Sequence, residues 1–400
     1  MAKMTKKTRS LLLNLGFVTA LVAITLVVLF VNQKDELKIS DIVNYFKTGN
    51  PEWIVAAFAC MLLFIIFEGV SIWLIARFFG YKPRVISAVA YSSADVFYSA
   101  ITPTAAGGQP ASVFYMARDG MSAGKASFAM LLNVIGYTAA IFAIGLIALC
   151  INPSLFGGID AVFAKVLVIA GAVIQLALLG LYIGCMFFGK AIIKLGNGLV
   201  FCLHKIRLVK NDEKWKNKIA EEVSKFSECR KILKEKPAVI FTTLLFNVLQ
   251  RISQTLIPCF VCIAIDPNAP FWDIFVLQSF VLFGYNSIPI PGGVGAYEYL
   301  FIHIYAQMYP EKSFIMLALM ISRLFSYYFS MLVSGGVTLT YHMVKRKKLP
   351  PEHAAVEEGG EGQTDETASE EGEKPATEEQ PTEERTDAPA EAPPEEEEKV

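Results

Sequence analysis

The sequence predicts an all-α polytopic membrane protein with about six transmembrane helices, two broken helical hairpins and a disordered acidic tail. Two observations carry this prediction. Apolar residues make up 54% of the 400 residues and charged residues only 18%, against roughly 45–50% and 25% in an ordinary soluble protein. Several apolar runs also reach the length of about 20 residues that a helix needs to cross a bilayer.

The charges divide the chain into two regions. Residues 349–400 hold 19 acidic and three basic residues and many prolines; so polar a segment cannot offset its ordering entropy and is predicted to be disordered. Residues 1–348 are predicted to form the transmembrane domain. Within that domain, residues 190–236 form a loop with 13 basic and six acidic residues, which is expected to lie in the cytoplasm.

Six apolar runs are predicted to cross the membrane. The first contains no charged residue and follows a basic N-terminus, as is typical of a retained signal anchor. The second has a proline, Pro51, just ahead of it, where a proline suits the first helical turn. The six predicted spans are Leu11–Val31, Trp53–Phe79, Ala126–Ile151, Ala161–Gly189, Ala238–Ile265 and Ser313–Val344.

Two shorter apolar stretches, Val85–Ile101 and Phe271–Tyr285, run into sequences rich in proline and glycine. Proline removes a backbone donor and glycine favours a break, so each stretch is predicted to be a helix, a break and a second helix. Broken backbone is tolerated at membrane depth only where protein or a water-filled cavity surrounds it. The predicted break residues are Pro103, Gly107, Gly108, Gln109, Pro289, Pro291, Gly292, Gly293 and Gly295.

The loop charges predict the topology, because short cytoplasmic loops carry the excess of lysine and arginine. The protein is therefore predicted to lie in the cell membrane, and basic clusters at both ends of the domain predict that its N- and C-termini are both cytoplasmic. The first broken segment has basic residues on both sides and is predicted to enter and leave from the cytoplasm. The second is predicted to enter and leave from the outer face. The alternative is that both segments cross, which gives eight spans and places the basic loop outside.

Five charged residues are predicted to lie within the membrane, where each costs about 2.5–3.5 kcal/mol. One explanation is ion pairing between helices. The other is a polar cavity in which the two arginines meet an anionic lipid headgroup. The break glycines allow either helix N-termini that attract phosphate or close helix packing. Tyr297 is interpreted as an interfacial anchor, with a cavity wall as the alternative. The five charged residues are Glu68, Asp95, Arg251, Glu298 and Arg323.

No cofactor, metal site or catalytic residue is predicted. Cys259 and Cys262 have CxxC spacing but no second pair and no nearby histidine, whereas a structural zinc ion needs four ligands. A nucleic-acid partner is not expected either, because such binding requires clustered lysine and arginine and the tail is acidic.

The two break motifs, Thr102–Gly120 (TPTAAGGQPASVFYMARDG) and Ile288–Glu298 (IPIPGGVGAYE), resemble those of the lysylphosphatidylglycerol synthase transmembrane-domain family, also called the flippase-like domain family. The resemblance covers roughly residues 11–348. The second motif is the more specific, and Arg323 stands where the family carries an arginine in its last span. Many members have an aspartate after the first Gly-Gly pair, whereas this chain has Gln109.

The resemblance implies a protein that binds and translocates an anionic or aminoacylated phospholipid, or a lipid-linked headgroup. Large members join this domain to a soluble transferase that moves lysine from tRNA onto phosphatidylglycerol, and the membrane part then flips the product, giving resistance to cationic peptides. No comparable soluble domain is legible here, so an enzymatic activity is not favoured. The alternative is a phosphatidylglycerol lysyltransferase, acting alone or with a separate soluble transferase. A phospholipid is the expected partner, and an oligomer is compatible with the sequence.

Overall fold

The computed structural model describes residues 39–102, 107–187, 231, 233–288 and 290–346. Over these residues the protein is helical and contains no strand. The first predicted span, the break residues Pro103 and Pro289, most of the basic loop and the acidic tail lie outside the described residues.

The described residues form twelve helices, numbered in chain order. Two irregular turns interrupt them: a 3₁₀ turn at Pro291–Gly293 and a π-helical turn at Leu324–Phe329. The helices are α1 Ile39–Thr48, α2 Pro51–Phe78, α3 Val85–Ile101, α4 Gly108–Arg118, α5 Ala123–Ile151, α6 Pro153–Gly157, α7 Val162–Phe187, α8 Ala238–Ile265, α9 Phe271–Asn286, α10 Ala296–Tyr305, α11 Lys312–Arg323 and α12 Ser330–Arg346.

Five helical segments in the described part of the chain are long and apolar enough to cross a membrane. They are α2, α5, α7, α8 and the continuous run of α11, the π turn and α12. These correspond to five of the six predicted spans, and α8 has the predicted bounds. The prediction of an all-α polytopic membrane protein is therefore confirmed.

Both broken segments fold back on themselves as antiparallel hairpins. In hairpin one, formed by α3 and α4, the Ser112 hydroxyl donates to the Tyr91 carbonyl at 2.6 Å. In hairpin two, formed by α9 and α10, Tyr305 near the end of α10 donates to Gln278 near the start of α9 at 3.2 Å, and Gln278 donates to Tyr297 at 3.3 Å. A segment that crosses would need its two helices in line, so the hairpin form is confirmed.

The second arm of each hairpin is short. Helix α4 has 11 residues and α10 has 10, so they are about 16 Å and 15 Å long at 1.5 Å per residue. The hydrocarbon core is about 30 Å thick. Each second arm therefore has about half the length that a crossing requires.

The helices form two similar halves. Each half is a long helix, a hairpin and a closing span: α2, hairpin one and α5 in the first, and α8, hairpin two and α11–α12 in the second. Helices α2 and α8 pack against each other, α3 packs on α12, and α9 packs on α5. Each hairpin thus packs against the closing span of the other half, which brings both breaks toward the centre of the domain.

Helix α7 lies at the periphery of the described part. Large apolar side chains on it are solvent-exposed, Val162 at 74% and Val173 at 62%, as expected of a face that contacts lipid rather than protein. Its inner face packs against α9, α5 and α10. At the closest approach to α9, an added Cβ at Gly171 would overlap the carbonyl oxygen of Phe283.

This contact predicts a matched pair of substitutions on α7. Gly171→Ala forces α7 away from the α9 backbone and is expected to destabilise the protein by about 1–3 kcal/mol, as overpacking does. Gly180→Ala on the same helix meets nothing within 4 Å and is expected to be neutral or slightly stabilising, because alanine is the better helix former. Thermal melting of both purified variants checks this; equal melting temperatures would contradict the packing of α7 on α9.

Candidate functional site

A polar cavity of about 580 Å³ is lined by both hairpins and by residues of α2, α5, α7, α8, α11, α12 and the π turn. Four of the five charged residues predicted within the membrane line it, and so do three of the predicted break residues. The broken backbone therefore lies against a cavity, as membrane depth requires. The predicted residues in its wall are Glu68, Asp95, Arg251, Arg323, Gln109, Gly292 and Gly293.

The Arg323 side chain holds the break of hairpin two. Its Nε donates to Glu298 Oε1 at 2.6 Å, and its two terminal nitrogens donate to the carbonyl oxygens of Gly292 and Gly293 at 2.9 and 3.2 Å. The guanidinium also lies over the Tyr297 ring, with its central carbon 4.0 Å from the ring centroid. Each of the three guanidinium nitrogens thus makes one hydrogen bond within the protein, which favours the ion-pairing explanation for Arg323.

Glu298 is the fifth predicted charged residue, and it lies behind Arg323 at the start of α10. Besides accepting from Arg323, it accepts the Gly295 backbone N–H on its other oxygen at 2.6 Å. The Glu298 carboxylate therefore connects three elements: the break, the first turn of α10, and helix α11. Its position beside Arg323 makes it part of the framework that shapes the cavity.

The glycines of the second break are required by their backbone conformation. Gly292, Gly293 and Gly295 have φ values of +59°, +64° and +87°, a left-handed region that other residues rarely adopt. An added Cβ at Gly292 would also overlap the Tyr327 ring, and one at Gly293 the Tyr285 ring. The break thus depends on glycine for both its shape and its close packing.

The glycines of the first break serve close packing. An added Cβ at Gly108 would overlap the side chains of Asp95 and Ser99, and one at Gly107 the side chain of Thr102. Helix α4 also begins at Gly108, with Gly107 as its N-cap, so this pair lies both at a close contact and at a helix N-terminus. Gln109, which follows the first Gly-Gly pair, lines the cavity.

Arg251 differs from Arg323 in how its donors are used. Its guanidinium makes one hydrogen bond to a side chain, from Nη1 to Gln254 Oε1 at 2.7 Å, and lies 4.8 Å from the centroid of the Tyr137 ring. The Nε atom is buried and has no hydrogen-bond partner in the described part of the chain. No carboxylate of a described residue lies within 4.0 Å of this guanidinium. Arg251 is therefore a buried cation in the cavity wall with donor capacity to spare.

A row of polar side chains connects the two arginines. Gln254 accepts from Arg251 and donates to the Tyr285 hydroxyl at 3.3 Å, and the Tyr285 ring packs edge-on against Tyr297 with 5.1 Å between centroids. Tyr297 is 3% exposed and lines the cavity. Of its two interpretations, interfacial anchor and cavity wall, the structure supports the cavity wall.

On the opposite side from hairpin two, Glu68 and Asp95 lie together. Both line the cavity and are buried, at 4% and 7% exposed. Glu68 also accepts hydrogen bonds from Ser92 and Gln250, both at 3.1 Å, and from Asn133 at 3.4 Å. The two carboxyl groups come from α2 and α3, and Gln250 from α8, so this cluster joins both halves of the domain.

An amide network behind Glu68 is the part of the site that the sequence did not reveal. Ser71 donates to Asn133 Oδ1 at 2.7 Å, and Asn247 donates to Ser71 at 3.0 Å and to Asn133 Oδ1 at 3.1 Å. These side chains are fully buried on α2, α5 and α8. A search for asparagine at the middle of predicted spans would have found two of the three.

Comparison with known proteins shows that the chain matches a family. A family model described as the Lysylphosphatidylglycerol synthase TM region matches residues 15–334. The chain is also similar to a protein named UPF0104 membrane protein from Archaeoglobus fulgidus, with 24% identity over 310 residues that cover 75% of this chain and 90% of the relative. The matched range includes both hairpins and every residue of the cavity wall.

Proposed function

Since the chain belongs to the lysylphosphatidylglycerol synthase transmembrane family, we propose that its cavity binds the headgroup of an anionic or aminoacylated phospholipid and that the protein moves this lipid across the cell membrane. The observation that carries the proposal is Arg251. A buried guanidinium with an unpartnered Nε costs free energy unless a ligand satisfies it, and an arginine suits the geometry of a phosphate.

The dimensions of the cavity fit a headgroup. Its volume of about 580 Å³ falls within the range of roughly 300–1,000 Å³ that is typical of ligand pockets. Apolar residues of α7, Ile174 and Leu178, contribute to the wall beside the polar groups. We propose that the headgroup occupies the polar part while the acyl chains follow the apolar face of α7.

The architecture supports movement as well as binding. Broken helices that meet near the midplane between two related halves are the usual construction of transporter sites. Here the halves meet at the contact of α2 with α8, and hairpins one and two line the same cavity. We propose that hairpin one opens the cavity to the cytoplasm and hairpin two to the outer face, with both termini in the cytoplasm, as the loop charges predict.

A deletion strain tests this function in cells. Total lipid is measured by mass spectrometry, and outer-leaflet lipid by membrane-impermeant reagents that modify amines or oxidise glycerol headgroups. We expect total composition to be unchanged and the outer-leaflet share of one anionic or aminoacylated lipid to fall. Complementation with the wild-type chain should restore it. Loss of a lipid from the total would instead indicate synthesis, and an unchanged outer leaflet for every class would contradict the proposal.

A further inference from the structure

Helix α12 carries a row of buried hydroxyl groups that begins at the cavity. Ser330, Ser334 and Thr338 are 2%, 0% and 4% exposed, and their hydroxyl oxygens have no hydrogen-bond partner in the described part of the chain. Ser330 lines the cavity. Because these residues are four apart in the sequence, they lie on one face of the helix, and the row covers about 12 Å at 1.5 Å per residue.

Three buried hydroxyl groups elsewhere in the domain are satisfied within their own helix. Ser253, Thr255 and Ser279 each donate to the carbonyl oxygen four residues earlier, at 2.8–2.9 Å, as a hydroxyl group inside a helix commonly does. A buried hydroxyl group without a partner costs free energy. Close helix packing explains small residues on α12, but alanine would provide it without that cost. The hydroxyl row of α12 therefore points to a polar ligand.

The hydroxyl row faces hairpin one. Tyr341 lies seven residues after Ser334 and therefore on the same face of α12, and its ring packs edge-on against Tyr91 of α3 with 6.3 Å between centroids. An added Cβ at Gly335 would also lie only 2.9 Å from the Phe97 ring of α3. The row thus follows the contact between α3 and α12.

Polar contacts of Asp119, the residue after α4, close the far end of the row. Its carboxylate accepts from the hydroxyl group of Tyr91 at 2.6 Å and from that of Tyr341, and it pairs with Lys345 at 2.9 Å. Tyr341 and Lys345 belong to α12. These bonds therefore hold hairpin one against α12.

Arg118, beside this closure, has donors to spare. Its Nη1 lies 3.2 Å from Nδ1 of His342 on α12, whereas its Nε and Nη2 are buried and have no hydrogen-bond partner among the described residues. Nε and Nη2 share one edge of the guanidinium, an arrangement that suits two oxygens of one phosphate. His342 follows Thr338 by four residues, so Arg118 lies at the end of the hydroxyl row.

From these observations we infer that the contact between α3 and α12 is a second headgroup-binding region: Arg118 receives the phosphate of a phospholipid, and the hydroxyl row leads the headgroup to the cavity. The inference rests on the proposed function, in which hairpin one opens the cavity to the cytoplasm. In the structure the bonds of Asp119 to α12 keep this contact closed, so the headgroup enters when they break.

Ser334→Ala tests the hydroxyl row in liposomes that contain fluorescently labelled phosphatidylglycerol. We expect lipid movement to slow about fivefold, since the headgroup loses one hydrogen bond, without a lower melting temperature. Arg118→Gln should slow movement at least as much. Ser279→Ala, at a buried hydroxyl group that bonds within α9, is the matched control and should move lipid at the wild-type rate. A wild-type rate in Ser334→Ala or in Arg118→Gln would overturn the inference.

Cysteine labelling tests the same region without relying on lipid movement. A water-soluble thiol reagent is applied to purified Ser334→Cys and Ser279→Cys in detergent, and peptide mass spectrometry locates the label. We expect Ser334→Cys to be labelled faster, added phosphatidylglycerol to slow its labelling, and Arg118→Gln in the same chain to remove that protection. Equal labelling at both positions, or labelling that the lipid does not slow, would overturn the inference. Protection by the lipid in a protein whose wild type moves none would support the binding region and refute the proposed movement.

Discussion

Arg323→Lys is expected to lower the stability of the protein by about 3 kcal/mol or more and to abolish lipid movement. Lysine keeps the charge but not the planar fork that reaches Glu298 Oε1 and the carbonyl oxygens of Gly292 and Gly293 together. Hydrogen bonds to charged groups contribute about 1.5–3 kcal/mol each, and at least one of the three is lost together with its desolvated partner. Thermal melting in detergent and lipid movement in cells measure the two effects.

If Arg323 only paired with an acid, lysine would be expected to substitute well. The structure changes that expectation, because the arginine also bonds the backbone of the break. Arg77→Lys on α2 makes the same exchange at an exposed position and is expected to change stability by no more than about 0.5 kcal/mol. A wild-type melting temperature for Arg323→Lys would show that these three bonds do not hold hairpin two.

Arg251→Gln is also expected to abolish lipid movement, but, unlike Arg323→Lys, with a nearly normal fold. The arginine gives up one side-chain hydrogen bond, to Gln254, worth about 1.5–3 kcal/mol in a charged pair. Against that loss, the variant no longer buries a cation with an unpartnered nitrogen, which is itself costly. We therefore expect a change in stability below about 1 kcal/mol, whereas binding of an anionic headgroup loses the cavity-wall arginine that keeps an unpartnered nitrogen among the described residues.

Arg251→Lys separates charge from geometry at the same position. Lysine keeps the positive charge but offers a point charge in place of the two-pronged guanidinium. We expect lipid movement to fall roughly tenfold, which corresponds to about 1.4 kcal/mol. Full activity of Arg251→Lys would mean that charge alone recruits the lipid. Melting temperatures of both Arg251 variants are the control for folding.

The sequence predicted the helices well because their signals are local. The length of the apolar run predicted the bounds of α8, Ala238–Ile265, and the Pro/Gly motifs predicted where α3 and α9 end. Charged residues within apolar runs also stood out, because few other residues are so costly there. Four of those five proved to line one cavity, although they come from four different helices.

The roles of the two arginines could not be predicted in the same way. Both lie near the middle of apolar spans, yet Arg323 meets Glu298 and two backbone carbonyl groups while Arg251 keeps an unpartnered nitrogen. That difference depends on how hairpin two turns against α11, which is a tertiary contact. The same turn directs Tyr297 into the cavity. Asn133 and Asn247 were overlooked because a neutral amide carries no charge signal.

Reconstitution tests whether Arg251 receives the headgroup of a lipid that the protein moves. The purified protein is placed in liposomes that contain phosphatidylglycerol fluorescently labelled on an acyl chain. A membrane-impermeant reductant bleaches only the outer leaflet, so added bleaching reports lipid movement. We expect added bleaching with the wild-type chain and none beyond protein-free liposomes with Arg251→Gln. Equal bleaching by both chains, or none by the wild type, would contradict it.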